Sequence, residues 1–484
     1  MFFAALFCSL VASISLFRPV LAILLLVAVI TFLIVLIFNK NYKYIAVLLS
    51  VVLFSISLAF ELVEISQIKI QDGENVNGKF VIVEEAVDQG EYNTLILKET
   101  NCSALPRGTK LLAFDYNKNN VKPGDMIDAT ISLNAVEKSD KYRLSNYSER
   151  IYVTGNIQKI KKTGNKNFVY NATGQIRNFV KKKVTDFFTG DTAGLLVAIT
   201  TGDKSLISDE FFNNVKTTGI SHVIVVSGMH LSIIMMAIFW CIDHLFYNKY
   251  VRCILSIVLV VIIYSICGFT MSISRAGAMF IVASLAPILN RDNDSLSSIF
   301  TAITGILILT PFAIVNVSFL LSLLSTIAII WIVPFYYRVI VEKFDICSKF
   351  IKTIIASVLC SVFAILFTLP VTIKVFGYVS IVSPFTNLLV NVPVTIGIVF
   401  NVLAIIISAI PYIKIIAYPL FLIAGLCSRI IVFIVDLFAK IPITVAVMPK
   451  VAFWWSIVLI TIIIGNMYLY EYRRKRSELN ANCL

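Results

Sequence analysis

Residues 202–240 read Gly202-Asp-Lys-Ser-Leu-Ile-Ser-Asp-Glu-Phe-Phe-Asn-Asn-Val-Lys-Thr-Thr-Gly219-Ile-Ser-His222-Val-Ile-Val-Val-Ser227-Gly228-Met-His230-Leu-Ser-Ile-Ile-Met-Met-Ala-Ile-Phe-Trp240. Glycines, hydroxyls and two imidazoles give way here to a long apolar run. Polar groups at membrane depth are costly unless they face protein or water. The passage therefore predicts a polar path or site at the mouth of a membrane span, inside a bundle of helices.

The rest of the chain supports that setting. Of its 484 residues, 58% are hydrophobic and 14% charged. Soluble domains carry roughly 45–50% apolar and about 25% charged residues, so the composition predicts a polytopic α-helical membrane protein. The net charge of +13 is unevenly placed. Residues 61–165 hold about as many acidic as basic side chains, whereas 217–484 hold about twice as many basic as acidic ones. Cytosolic loops rich in Lys and Arg account for that pattern, and a pore that attracts a polyanion fits it too. The nine cysteines stand apart from one another, with Cys102 alone in the polar insert and no Cys-x-x-Cys pair. A zinc ribbon is excluded, and no cofactor is implied.

Apolar runs at 2–17, 20–38 and 44–60 predict three spans, with Lys40 and Lys43 marking a cytosolic loop. The first run lacks a basic leader and a small-residue cleavage site, so it reads as a retained span. Residues 66–162 alternate short β-type runs with turn signals such as Asp72-Gly73, Asn77-Gly78, Pro106-Arg-Gly108 and Pro123-Gly124-Asp125. Five or six strands in that length predict a small external β-barrel of OB type. Residues 166–190 read as a basic amphipathic helix on the membrane surface, with Lys181, Lys182 and Lys183 facing water or headgroups. Nine further runs between 222 and 470, separated by basic loops, bring the prediction to about 12 spans with the C-terminus in the cytosol. Gly194–Thr201 and the stretch 380–410, interrupted by Pro384 and Pro393, are expected to be re-entrant or broken helices. The expected division is a three-span segment (1–61), the external β domain (62–165), an amphipathic linker (166–201), a channel domain (202–472) and a basic tail (473–484).

The polar constellations can be weighed one at a time. On a single helix His222 and His230 would stand ~12 Å apart, too far for one metal, whose bonds to nitrogen are about 2 Å. Ser227 and His230 share a helical face at i, i+3. They would suit a nucleophile and its base, but no carboxylate lies near them in sequence, and a polar face lining a path is the preferred reading. Gly228 permits close helix approach. Asp243 and His244 suit a solvated pair at the cytosolic surface. Arg275 begins an apolar run with no acidic neighbour in sequence; it either snorkels to headgroups or meets phosphate bidentately. Asn387 and Asn391, four apart and flanked by prolines, would share a face either of a broken helix beside water or of a kinked helix bonded to its neighbour.

Taken together these segments resemble the ComEC family, membrane proteins that carry transforming DNA into bacteria. The resemblance lies in Gly202-Asp203-Lys-Ser followed by Gly219-Ile-Ser-His222-Val-Ile-Val-Val-Ser227-Gly228-Met-His230. It continues in Ser274-Arg275-Ala276, Pro311-Phe-Ala-Ile-Val-Asn-Val-Ser-Phe319-Leu-Leu-Ser322 and Phe376-Gly377 through Ser383-Pro384-Phe-Thr-Asn387-Leu-Leu-Val-Asn391-Val-Pro393. The sequence ends without the metallo-β-lactamase-like domain of many members, and carries three histidines. The resemblance therefore implies a channel for single-stranded DNA in the bacterial cytoplasmic membrane, and no enzyme. Its path residues would be Gly202, Asp203, Gly219, His222, Ser227, Gly228, His230, Arg275, Pro384, Asn387 and Asn391. It implies as partners a cytosolic helicase or ATPase, a surface DNA receptor, a separate nuclease and further copies of the chain. Two rival readings remain: a transporter of another anionic solute with Arg275 at its site, and an intramembrane hydrolase using Ser227 and His230.

Overall fold

The computed structural model describes residues 7–9, 11–12, 45–68, 72–88, 90–102, 104–106, 108–135, 143–224, 228–245, 248–268, 271–286, 288, 295–410, 414–441, 445–449 and 451–482. The two apolar runs expected before residue 44 lie almost wholly outside these residues, as does Ser227.

Helix α1 (Ile45–Gln67) leads into a sheet domain. Its strands are β1 (Glu74–Ile82), β2 (Val87–Asp88), β3 (Asn93–Cys102), β4 (Lys110–Asp115), β5 (Asp125–Ala135) and β6 (Ile151–Lys166), with the short helix α2 (Arg143–Ser148) before β6. The side-chain period of two sends Phe80, Ile82, Leu95, Leu97, Leu111, Ile127, Ile131 and Leu133 into one core. Strand pairing passes from β1 to β5, β6, β4 and β3, and β3 pairs again with β1. All these pairs are antiparallel except β4 with β6. Asn77-Gly78 departs from expectation. It is no turn but the middle of β1, where a Cβ on Gly78 would stand 2.9 Å from Cys102 Cβ. Close approach of the neighbouring strand explains that glycine.

Helix α3 (Phe168–Thr185) follows, its first amides capped by the Asn167 side chain. Val180 and Val184 turn inward, while Phe168, Val169, Ile176 and Phe179 remain exposed beside the lysines. Three short helices come next: α4 (Gly190–Thr201), α5 (Asp209–Thr218) and α6 (Ser221–Ile224). At 12 residues, α4 reaches only ~18 Å. It is too short to span, yet Ala193 through Ile199 are buried.

Then come α7 (Gly228–Leu245), α8 (Lys249–Ile266), α9 (Met271–Leu285) and α10 (Ser295–Leu309). A 3₁₀ turn at Pro311–Val315 leads to α11 (Val317–Ile327), which passes through one π turn at Ala328–Ile332 into α12 (Val333–Lys343). The remainder is α13 (Lys349–Phe376), β7 (Tyr378–Ser380), α14 (Ser383–Ser408), α15 (Ala417–Ala439), β8 (Val445–Val447) and α16 (Ala452–Asn482). Strands β7 and β8 form a separate antiparallel pair. Among the described residues seven helical runs are long and apolar enough to cross a bilayer, and Ile273–Leu285 and Ser297–Leu309 are shorter apolar helices. The protein is thus a polytopic membrane protein carrying a sheet domain.

The expected break at 380–410 is not there. Helix α14 is continuous over 26 residues: Pro384 sits in its first turn, where a missing N–H costs nothing, and Pro393 is absorbed within it. On its packed side Thr386, Asn387 and Asn401 are buried in protein, while Phe385, Leu389, Val392 and Ile396 are exposed and Asn391 is half-buried. Its principal neighbour is α15, and together they enclose α4 and α5 in the largest apolar core.

Candidate functional site

The polar passage begins where α4 stops. Gly202 takes a left-handed φ of +83° and returns its N–H to Ala198 O, a C-cap that a side chain would strain. Asp203 then accepts from Lys181 Nζ at 3.0 Å and from Ser205 N at 2.9 Å, tying α3 to the turn. Ser208 caps α5 and in turn donates to Asp191 Oδ2 at 2.9 Å.

At the other end of α5 the chain meets its distant second motif. Gly219 caps the helix with φ +77°. A Cβ built on it would lie 2.7 Å from the Cβ atoms of Ser380 and Ser383 and 2.8 Å from Ser383 Oγ. Thr386 Oγ1 donates to Thr218 O at 3.0 Å, and Ser383 Oγ to Gly219 O at 3.4 Å. Asn387 Nδ2 donates back to Ser383 Oγ at 3.3 Å. Farther along α14, Asn401 Nδ2 reaches Thr200 Oγ1 at 2.8 Å, and on α15 Ser428 Oγ reaches Thr192 O at 3.0 Å. A seam of neutral hydroxyls and amides thus joins α4 and α5 to α14 and α15. Among the described residues Oδ1 of Asn387 and of Asn401 and Ser380 Oγ find no hydrogen-bond partner, although all three are buried.

The expected site residues do not all gather here. Gly219, Pro384 and Asn387 lie along this seam, whereas Gly202 and Asp203 stand in the turn between α4 and α5, where Asp203 is tied to α3. His222 lies on α6 and His230 on α7. His230 is fully buried and His222 has accessible surface. Gly228 is buried at the start of α7. Arg275 is elsewhere. It is buried on α9, with Nε 3.1 Å from Ser322 Oγ, Nη2 on the same oxygen and Nη1 3.6 Å from Met279 Sδ. It therefore does not snorkel to the surface. Asn391 parts from Asn387 and faces a different recess, against α12 and α13. One turn of separation leaves two residues on neighbouring but not identical faces, and the tight packing around Asn387 divides them.

Sequence reasoning did not single out Thr218, which ends a polar helix, nor Thr386 or Asn401, although a Thr or Asn inside an apolar run is itself a signal in membranes. It also missed a charged recess of about 330 Å³ where the sheet domain meets the helices. Glu84, Lys110 and Glu149 line it from the sheet side, Tyr170 and Tyr264 from the helices. Burial pushes the Glu84 and Glu149 carboxyls above the usual range, the first held back by Arg177 and Lys110, the second raised further by Glu84. Burial lowers the Lys110 ammonium, against the pull of the two carboxylates. Around the recess, Arg150 donates to Glu61 Oε1 at 2.7 Å and to Leu309 O at 2.9 Å, and Asn316 Nδ2 donates to Ser148 Oγ at 2.9 Å. These bonds fasten the sheet domain to α1, α10 and the turn before α11. No local motif marks such a cluster, because its members come from segments up to some 180 residues apart.

The fold and its buried polar seam define a polytopic membrane protein built around short helices held between long ones. Residues 199–473, more than half of the chain and including the whole seam beyond α4, match the family model described as Competence protein. The chain belongs to this family, the ComEC competence proteins, and so has a role in competence, the uptake of DNA. No curated protein and no solved structure matches it.

Proposed function

We propose that this chain is the conduit through which one strand of incoming DNA crosses the bacterial cytoplasmic membrane. The observation that carries the reading is the meeting of two remote motifs, Thr218-Gly219 and Ser383 through Asn387, at the centre of the matched region. Short helices that stop inside the protein, with buried amide oxygens left without partners, fit a polar path held closed. The chain spans the bilayer about 12 times, counting the runs before residue 44. The sheet domain lies outside, and its cyclic strand pairing with one parallel step supports an OB-type barrel. The basic tail lies in the cytosol. The 62–165 and 202–472 units act as receiving domain and channel, with 166–201 between them. The chain acts as a conduit and not as an enzyme, so the drive comes from a cytosolic helicase or ATPase, with a surface receptor delivering the strand and a separate nuclease removing its complement. The rival anion transporter loses support, since the Arg275 guanidinium is turned onto Ser322.

The test is internalisation of end-labelled DNA in a strain lacking this chain. Uptake into the cytosol is lost while surface binding persists. Undiminished internalisation overturns the proposal.

A further inference from the structure

Asn391, separated from the seam, opens onto a recess of about 440 Å³ between α12, α13 and α14. Four hydrogen-bond donors converge there from three helices: Lys352 and Ser357 on α13, Tyr337 on α12 and Asn391 on α14. Among the described residues none of these four side chains makes a hydrogen bond or an ion pair with protein. Among the described residues no carboxylate lines the recess, and Lys352 is its one charged wall. All four side chains are half-buried, and four donors with no protein partner facing one space suit a ligand that accepts from them.

The placement says what the ligand carries. Lys352 lies in the first turn of α13, whose N-terminal end bears Lys349 and exposed Phe350 and Ile351. Lysine above an apolar face marks the headgroup level of a membrane. The recess follows α13 inward from Lys352 to Cys360, eight residues or ~12 Å. An ion at Lys352 would leave the inner donors idle.

We propose that this recess binds an anionic phospholipid, with its phosphate at Lys352 and Tyr337. The ester carbonyls below the phosphate then accept from Ser357 and Asn391. A free phosphate shares the first part of that chemistry and lacks the second. The inference does not depend on what the protein conducts.

Full-length protein in detergent, examined by native mass spectrometry with added phosphatidylglycerol, tests it. Bound lipid is expected to survive delipidation in the native protein. It should fall roughly tenfold in K352Q, the loss of one charge-assisted contact, and less in S357A, which removes one oxygen and leaves the helix intact. K343Q, outside the recess, should retain lipid fully. Dilauroylglycerol, with esters and no phosphate, should bind weakly. Equal retention in K352Q and K343Q overturns the site. Inorganic phosphate displacing the lipid at equal concentration overturns the lipid as the source, and Lys352-dependent binding of oligothymidylate in place of lipid reassigns the recess to the nucleic-acid path.

Discussion

The seam at Gly219 and the recess beneath the sheet domain both join remote parts of the chain, and they are built in opposite ways. At Gly219 neutral groups approach so closely that no Cβ fits. Beneath the sheet, Glu84, Lys110 and Glu149 stand around about 330 Å³ of space. The difference follows from solvation. A charge sealed in protein loses hydration worth several kcal/mol, so the dry contact uses hydroxyls and amides, and the charges stay where space admits water. The close seam sets helix against helix; the open one lets a polar domain sit on an apolar one.

Breaking the close seam is expected to have the largest effect. Gly219→Ala adds a left-handed side chain, about 1–2 kcal/mol, and an overpacked contact, about 1–3 kcal/mol. Gly377→Ala has a like φ of +78° and nothing within 4 Å of the added Cβ. It should lose only the first part. Thermal unfolding of the two purified variants compares them directly, and equal losses would remove the packing claim.

Breaking the open seam comes next. Arg150→Gln leaves the Glu61 carboxylate, 4% exposed, without its partner, although Arg150 itself is half exposed. A loss of about 1–2 kcal/mol is expected, less than for a fully buried pair. Faster proteolysis of the sheet domain in mild detergent would show it, and unchanged proteolysis would mean that the other contacts suffice.

Asn387→Leu sharpens the comparison in another direction. Its buried Oδ1 lacks a partner, and such an atom costs about 1–3 kcal/mol. The variant should keep its stability within about 1 kcal/mol or gain, while DNA internalisation falls. A fall in both measurements would make Asn387 a packing residue.

The smallest effect is a pH dependence. Glu84 and Glu149 have folded values raised by burial. Their contribution to stability is full below the ordinary carboxylate range and is lost as pH rises through the raised values. Glu149→Gln mimics the protonated form. It should raise the unfolding midpoint at pH 7.5, with the gain shrinking as pH falls toward 4.5. A gain independent of pH would point to some cause other than the carboxyl charge.

Much of this was legible in the sequence, for reasons that differ by region. The strands of the sheet domain follow from period-two alternation, which is local, as at Leu95 and Leu97. Only the Asn77-Gly78 turn misled, because a glycine needed for close strand approach carries the same letters as a turn. Gly202 and Gly219 stood out only as members of the family pattern; that each is a left-handed helix cap is visible in the structure. What Gly219 touches was not, because Ser383 lies 164 residues on. The two prolines of α14 suggested a break, yet one occupies a first turn and the other sits inside a helix that runs on unbroken. Arg275 was ambiguous for a similar reason: its partner Ser322 is a small hydroxyl in an apolar run, with no charge to announce it.

The most direct measurement is cytosolic recovery of labelled DNA in a deletion strain carrying the native chain, Gly219→Ala or Gly377→Ala at matched membrane levels. The account predicts recovery with the native chain and with Gly377→Ala, and little with Gly219→Ala. Full recovery with Gly219→Ala, or with no chain at all, would contradict it.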